Sequence, residues 1–139
     1  MQLEWVNGYR SHDTRNNIAI SQDKNIVYHA AGLGIAYDPS THTQRFMSSH
    51  IDDVTAIAFS PDKRLVATGE IGAKPMICIW DAVNMQLKYP PIKGKLTKGI
   101  QALSFSSTGK TLAAVCIDVD HTVAVINVET KVTVTMKGD

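Results

Sequence analysis

The sequence has little of several features that mark particular protein classes. Its 139 residues include two cysteines, Cys78 and Cys116, too few for a disulfide-dense secreted scaffold. No apolar run approaches the roughly 20 residues that span a bilayer, and no basic start with an apolar core indicates a secretory signal. Aromatic residues are 6%, few for a nucleic-acid stacking platform. We therefore predict an intracellular protein with free thiols that binds neither membrane nor nucleic acid.

Acidic residues are missing from one stretch. Fourteen Lys and Arg nearly balance thirteen Asp and Glu, for a formal net charge of +1. Residues 82–117 nevertheless contain no Asp or Glu, and four lysines crowd around Pro90, Pro91 and Gly94: Lys88, Lys93, Lys95 and Lys98. We call residues 88–98 the lysine segment. Its turn residues predict an exposed loop, which is either a solvated spacer or a contact for an acidic surface through long-range attraction.

The chain repeats itself, and such a period decides the fold prediction. Residues 17–28, 56–67 and 102–113 align, with Ser21, Ser60 and Ser106 in the same place, 39 and 46 residues apart. Continued past the serine without a gap, the alignment forms two columns: Ile26, Leu65 and Thr111, then Val27, Val66 and Leu112.

Each unit predicts four short antiparallel strands. Its apolar residues follow period two or short runs rather than a helical stripe, and all five prolines fall between the runs, where no ladder bond is lost. We expect strands at about 16–20, 25–31, 33–38 and 42–47, then 54–59, 64–69, 76–81 and 84–88, then 100–105, 110–117, 122–127 and 131–136. No segment predicts a helix.

Four strands in 39–46 residues are typical of one β-propeller blade. The predicted fold is all-β: a partial propeller of about three four-stranded blades. A propeller typically closes with about 4–8 blades. We therefore expect a fragment whose partners include the remaining blades of a parent chain, or a second copy that completes a six-bladed ring.

The second unit carries a family resemblance. Ser49-His50, Phe59-Ser-Pro-Asp62, Ala67-Thr-Gly69 and Ile77-Cys-Ile-Trp-Asp81 resemble a WD40 repeat. The resemblance implies a hydrogen-bonded structural tetrad of His, Ser or Thr, Asp and Trp. In unit two His50, Thr68 and Trp80 match it, but the long turn at residues 70–75 lacks the Asp. In unit three Asp120 has the offset of the tetrad Asp, while Ala114 and Ile126 replace the hydroxyl and the Trp.

The start of the chain narrows the resemblance. Leu3-Glu-Trp-Val-Asn-Gly-Tyr-Arg10 and Arg15-Asn-Asn17 resemble the hydrophobic motif that opens the first propeller of echinoderm microtubule-associated protein-like (EMAP-like) proteins. Trp5 and Tyr9 would then anchor the motif to a blade. The implied segments are the motif at 1–14 and blades at 15–48, 49–93 and 94–139.

This resemblance implies a non-enzymatic scaffold that binds tubulin, microtubules or microtubule-associated partners in the cytoplasm, at the cytoskeleton, an axoneme or a spindle. The alternative is a WD40 adaptor of another intracellular complex. An enzyme is disfavoured, because catalysis needs convergent polar groups and no such set is recognisable. We predict no catalytic residue, no cofactor and no metal. The Asp118–His121 stretch is better explained as a polar turn than as a metal site.

Overall fold

The structure, a computed structural model, describes residues 5, 7, 18–50, 52–93, 96, 98–130 and 132–136. Eleven strands occur among these residues. They are β1 Ile18–Ile20, β2 Ile26–Ala30, β3 Leu33–Asp38, β4 Thr43–Met47, β5 Val54–Phe59, β6 Leu65–Glu70, β7 Ile77–Asp81, β8 Ile100–Phe105, β9 Thr111–Cys116, β10 Val123–Asn127 and β11 Thr133–Met136. No helix is found in the described part of the chain.

The strands form three antiparallel sheets, each made from consecutive strands. Blade 1 has the order β1-β2-β3-β4, blade 2 has β5-β6-β7, and blade 3 has β8-β9-β10-β11. Because no strand pairs outside its own unit, the predicted all-β blade architecture is confirmed. The predicted limits of the N-terminal motif and the three blades, at 1–14, 15–48, 49–93 and 94–139, stay a prediction.

The predicted fourth strand of blade 2, at 84–88, is wrong. Only isolated bridges, Trp80 with Leu87 and Ile77 with Ile92, join this segment to β7. Between the two bridges, β7 advances by three residues, from Ile77 to Trp80, while the outer segment advances by five, from Leu87 to Ile92. Two extra residues of the outer segment therefore interrupt the ladder. Pro90 and Pro91 lie between the bridges and have no N–H for pairing. The outer edge of blade 2 is thus irregular.

The first repeat also differs from prediction at its turn. In each blade, a serine amide closes the turn between the first and second strands. In blades 2 and 3, Ser60 N donates to Leu65 O at 2.9 Å and Ser106 N to Thr111 O at 2.8 Å. In blade 1, Ser21 N donates to Asn25 O at 2.8 Å, so this turn is one residue shorter.

The gapless columns are therefore wrong for unit one. Ile26, not Val27, is the structural equivalent of Val66. A one-residue slip moves side chains to the other face of a sheet, and Val27 accordingly faces blade 2. We call the edge that carries these three turns, residues 21–25, 60–65 and 106–111, the serine-turn edge.

Blade 2 lies between the other two and buries both faces. Along β7 the side chains alternate, so Cys78 and Trp80 join a core with blade 1, while Ile77 and Ile79 join a core with blade 3. The first core adds Val27, Ala36, Met47, Ile57 and Val66, and the second adds Ile100, Leu112, Ala114, Cys116, Ala124 and Ile126. Successive side chains on a strand point to opposite faces, which explains why β7 is apolar throughout.

Candidate functional site

A buried polar network joins three segments at the edge of blade 2 opposite the serine-turn edge. His50 precedes β5, while Thr68 and Glu70 lie on β6. His50 Nε2 is 2.6 Å from Thr68 Oγ1, and His50 Nδ1 is 3.1 Å from Glu70 Oε2. The His50 side chain is fully buried and that of Glu70 is 4% exposed. The structure thus brings two of the three candidate tetrad residues of unit two together.

Glu70 supplies the acid that the sequence reasoning did not find. Its Oε2 also accepts from Asp52 N at 3.2 Å, and its Oε1 accepts from Met76 N at 3.3 Å. One carboxylate therefore ties the segment before β5 to the turn before β7. A glutamate two residues after the tetrad-like threonine was the available sequence signal, because its longer side chain suits the longer turn.

The protonation of this network follows from its donors. An ionised carboxylate only accepts hydrogen bonds, so His50 Nδ1 carries the proton that faces Glu70. His50 Nε2 then accepts from the Thr68 hydroxyl. Burial lowers the pKa of His50, and the hydrogen bond and charge of Glu70 oppose this only in part. The histidine is therefore neutral near pH 7, and the structural role of His50 and Thr68 stays a prediction.

Trp80 lies apart from this network. It is completely buried, but within the described part of the chain its indole Nε1 has no hydrogen-bond partner. Its ring packs on Gly34, where a Cβ would come within 2.7 Å of Trp80 Cζ2. Its contribution here is packing between blades 1 and 2, so its predicted place in a hydrogen-bonded tetrad remains a prediction.

The fourth tetrad candidate, Asp120, is an exposed residue in the turn between β9 and β10. Its neighbour Asp118 closes that turn, since it accepts from Thr122 N at 2.7 Å and from Thr122 Oγ1 at 2.5 Å. Asp120 therefore lies in blade 3, outside the sheet that carries the His50 network, and its place in a tetrad stays a prediction.

Residues 88–93 of the lysine segment lie on the outer side of blade 2. Lys88, Lys93 and Lys98 are exposed, and Lys95 lies outside the described residues. Lys88 N donates to Ile79 O at 2.8 Å, so Lys88 belongs to the irregular outer edge rather than to a loop. Lys98 O accepts from Gly72 N at 3.3 Å, which places Lys98 at the edge opposite the serine turns.

The N-terminal motif is described at Trp5 and Asn7 only, and Tyr9 lies outside the described residues. Trp5 is 37% exposed, so it is not a core residue. Its ring packs edge-on against Tyr37 at 6.2 Å between centroids, and against His42 at 4.8 Å. Trp5 therefore contacts the third strand of blade 1 from outside.

The described residues contain neither a metal-binding cluster nor a membrane-spanning helix. No group of three or more His, Cys, Asp or Glu in that part of the chain could hold a metal ion. Among the same residues, no helix has the length and apolar character needed to cross a membrane.

Family models match two parts of the chain. Residues 1–35 match a model described as "HELP motif", and residues 41–81 match "WD domain, G-beta repeat". The second match begins at the outer strand of blade 1 and ends with β7. A solved structure described as "Structure of U3-55K" superposes with a TM-score of 0.73 at 22% identity, covering 93% of this chain and 41% of that one. This likeness shows the fold alone, and together these matches define a WD40-type propeller protein.

Curated relatives narrow the class. The chain is 33% identical over 133 residues to "77 kDa echinoderm microtubule-associated protein" of Strongylocentrotus purpuratus, covering 90% of this chain and 19% of the relative. It is 31% identical over 135 residues to "Echinoderm microtubule-associated protein-like 1" of Homo sapiens, covering 90% and 17%. The chain therefore belongs to the EMAP-like family of WD40-repeat proteins, as its sequence indicated. It spans about a fifth of the length of these relatives, and the matches indicate a scaffold family rather than a catalytic one.

Proposed function

We propose that this chain is a non-enzymatic part of a microtubule-associated scaffold, located at the cytoskeleton. The observation that carries the proposal is the similarity over 90% of the chain to proteins named as microtubule-associated. The partner is tubulin, a microtubule surface or a protein bound to one.

The contact surface that we propose is the lysine segment. Lys88, Lys93 and Lys98 are exposed, in a stretch without acidic residues. A partner with an acidic surface would be drawn to them by long-range attraction. Each exposed pair contributes about 0.2–1 kcal/mol, so only a combined substitution is informative.

Co-sedimentation with microtubules tests both statements in the full-length protein. We expect replacement of Lys88, Lys93 and Lys98 by Glu to weaken binding at low salt. The matched control replaces Lys24, Lys63 and Lys110, which are exposed on the serine-turn edge, and has the same change in charge. Salt shortens the Debye length from about 10 Å at 0.1 M to about 3 Å at 1 M, so the difference should shrink as salt rises.

The outcomes separate the partner from the surface. No sedimentation of the unmodified protein would contradict microtubule binding and favour an adaptor of another complex. Sedimentation that both triple variants retain equally would reject the lysine segment and leave the partner class intact.

A further inference from the structure

The serine-turn edge holds an arginine where blade 1 meets blade 2. Arg45 comes from β4, the outer strand of blade 1. Its Nη2 donates to Asp23 Oδ2 at 3.1 Å in the serine turn of blade 1 and to Ala82 O at 3.4 Å in the turn that follows β7. Its Nη1 also donates to Val83 O in that turn. One guanidinium thus bridges two neighbouring blades.

The junction of blades 2 and 3 has equivalent residues in the same places. Asp62 occupies the position of Asp23 in its serine turn. Ala82 N donates to Arg64 O and Val128 N to Lys110 O, both at 2.9 Å. The turn Val128-Glu129 is therefore the equivalent of Ala82-Val83.

Among the described residues, no arginine lines this second junction. Instead there is a pocket of about 290 Å³ whose walls include Asp62, Tyr89, Lys110, Val128 and Glu129. In the outer segment of blade 2, the residue equivalent to Arg45 is Lys88 or Tyr89. Lys88 does not line the pocket. The volume is at the small end of ligand pockets, which span about 300–1,000 Å³, and suits one side chain.

A proline explains part of the difference. At the first junction Gln22 N donates to Lys63 O at 3.1 Å, which links the two serine turns. The equivalent of Gln22 is Pro61, which has no N–H to donate. The facing residue is Gly109, where a Cβ would lie 3.4 Å from Pro61 Cδ. Among the described residues, no backbone hydrogen bond links these two serine turns.

The carboxylates show what the pocket can bind. Asp23 Oδ1 accepts from the Ser21 hydroxyl while Oδ2 faces Arg45. Asp62 Oδ1 likewise accepts from Ser60 Oγ and Arg64 N, while its Oδ2 accepts no hydrogen bond from another described residue. These bonds hold the pKa of Asp62 low, so the group stays ionised. Glu129 adds a second carboxylate and Lys110 one positive charge, which leaves the pocket with a net charge of −1.

We propose that this pocket binds an arginine side chain of a partner protein, in the way that Arg45 is bound within the chain. A guanidinium is planar and carries five donors, so it can reach a carboxylate and a backbone carbonyl together, which an ammonium does less well. The proposal concerns a basic partner segment and does not depend on microtubule binding.

Saturation-transfer NMR on the full-length protein tests the proposal. The probes are the peptides acetyl-Ala-Arg-Ala-amide and acetyl-Ala-citrulline-Ala-amide, which have nearly the same shape but differ in charge. We expect transfer to the arginine side chain and little to citrulline. We expect Asp62→Asn and Glu129→Gln each to weaken binding about fivefold, the loss of one partly exposed charged hydrogen bond.

The control is Asp120→Asn, an exposed acid in the turn between β9 and β10, outside the pocket. Equal transfer to both peptides, or equal weakening by the control, would overturn the proposal. A second variant examines the template directly: Arg45→Ala should open an equivalent site at Asp23, so the arginine peptide should raise its Tm more than that of the unmodified protein. If the arginine and citrulline peptides had the same effect on that Tm, the comparison with Arg45 would be wrong.

Discussion

Replacement of Glu70 by Gln should destabilise blade 2 strongly although it changes only one atom of the side chain. Both carboxylate oxygens accept hydrogen bonds: Oε2 from His50 Nδ1 and Asp52 N, and Oε1 from Met76 N. A glutamine amide offers one acceptor and one NH₂ group, so at least one buried donor meets another donor. Loss of a charged hydrogen bond together with an unsatisfied buried donor costs about 2–4 kcal/mol.

Urea denaturation followed by tryptophan fluorescence measures this change. With a slope of about 2 kcal/mol per molar urea, in the middle of the usual range, the midpoint should fall by about 1–2 M. The matched control is Glu129→Gln, because Glu129 is exposed and such surface changes usually stay within about 0.5 kcal/mol. Glu70→Asp should also destabilise the protein, since the shorter side chain cannot span the same three donors.

One result would refute this reasoning. If Glu70→Gln unfolded at the midpoint of the unmodified protein while Thr68→Val was clearly destabilised, His50 would be held by the threonine alone. The Glu70 carboxylate would then not contribute to stability, and it would not be the substitute for the tetrad aspartate.

Further predictions concern the core and its titration. Trp80→Ala should cost about 3–5 kcal/mol by emptying a large buried site, measured as a shift in the denaturation midpoint. Gly34→Ala should cost about 1–3 kcal/mol by overpacking, because the new Cβ would lie 2.7 Å from Trp80 Cζ2; an unchanged Tm would contradict that contact. Burial raises the pKa of Cys78 to about 12, so it should react with a thiol reagent only after unfolding. Burial lowers the pKa of His50, so the unfolded chain binds its proton more readily; stability should fall as pH drops below about 6.5, and His50→Asn should flatten that dependence.

Period-two patterning was sufficient to predict most of the strands. Strand β5 begins and ends where its apolar run does, because blade 2 is buried on both faces and needs apolar residues throughout. The register of unit one was not predictable in this way. Nothing in the composition around Ser21 shows that its turn closes at Asn25, one residue earlier than in the other blades.

The polar network was only half predictable for a similar reason. His50 and Thr68 lie at motif positions, so a pattern finds them. Glu70 depends on the conformation of the turn that follows it, and Arg45 depends on which carbonyls blade 2 presents across the junction. Such contacts link residues far apart in sequence, and no local pattern specifies them.

The WD40 match at residues 41–81 starts with β4, which is hydrogen-bonded to β3 in blade 1. The sequence repeat is therefore not the same unit as the structural blade. The matched repeat contains the outer strand of blade 1, β4, and the three strands of blade 2, β5 to β7. A cut at residue 40 would strip blade 1 of its outer strand and remove Arg45 from its junction. A cut between residues 48 and 49 would leave both sheets whole and keep His50 with the β6 residues that it contacts, so protein engineers who exchange blades should place the join there.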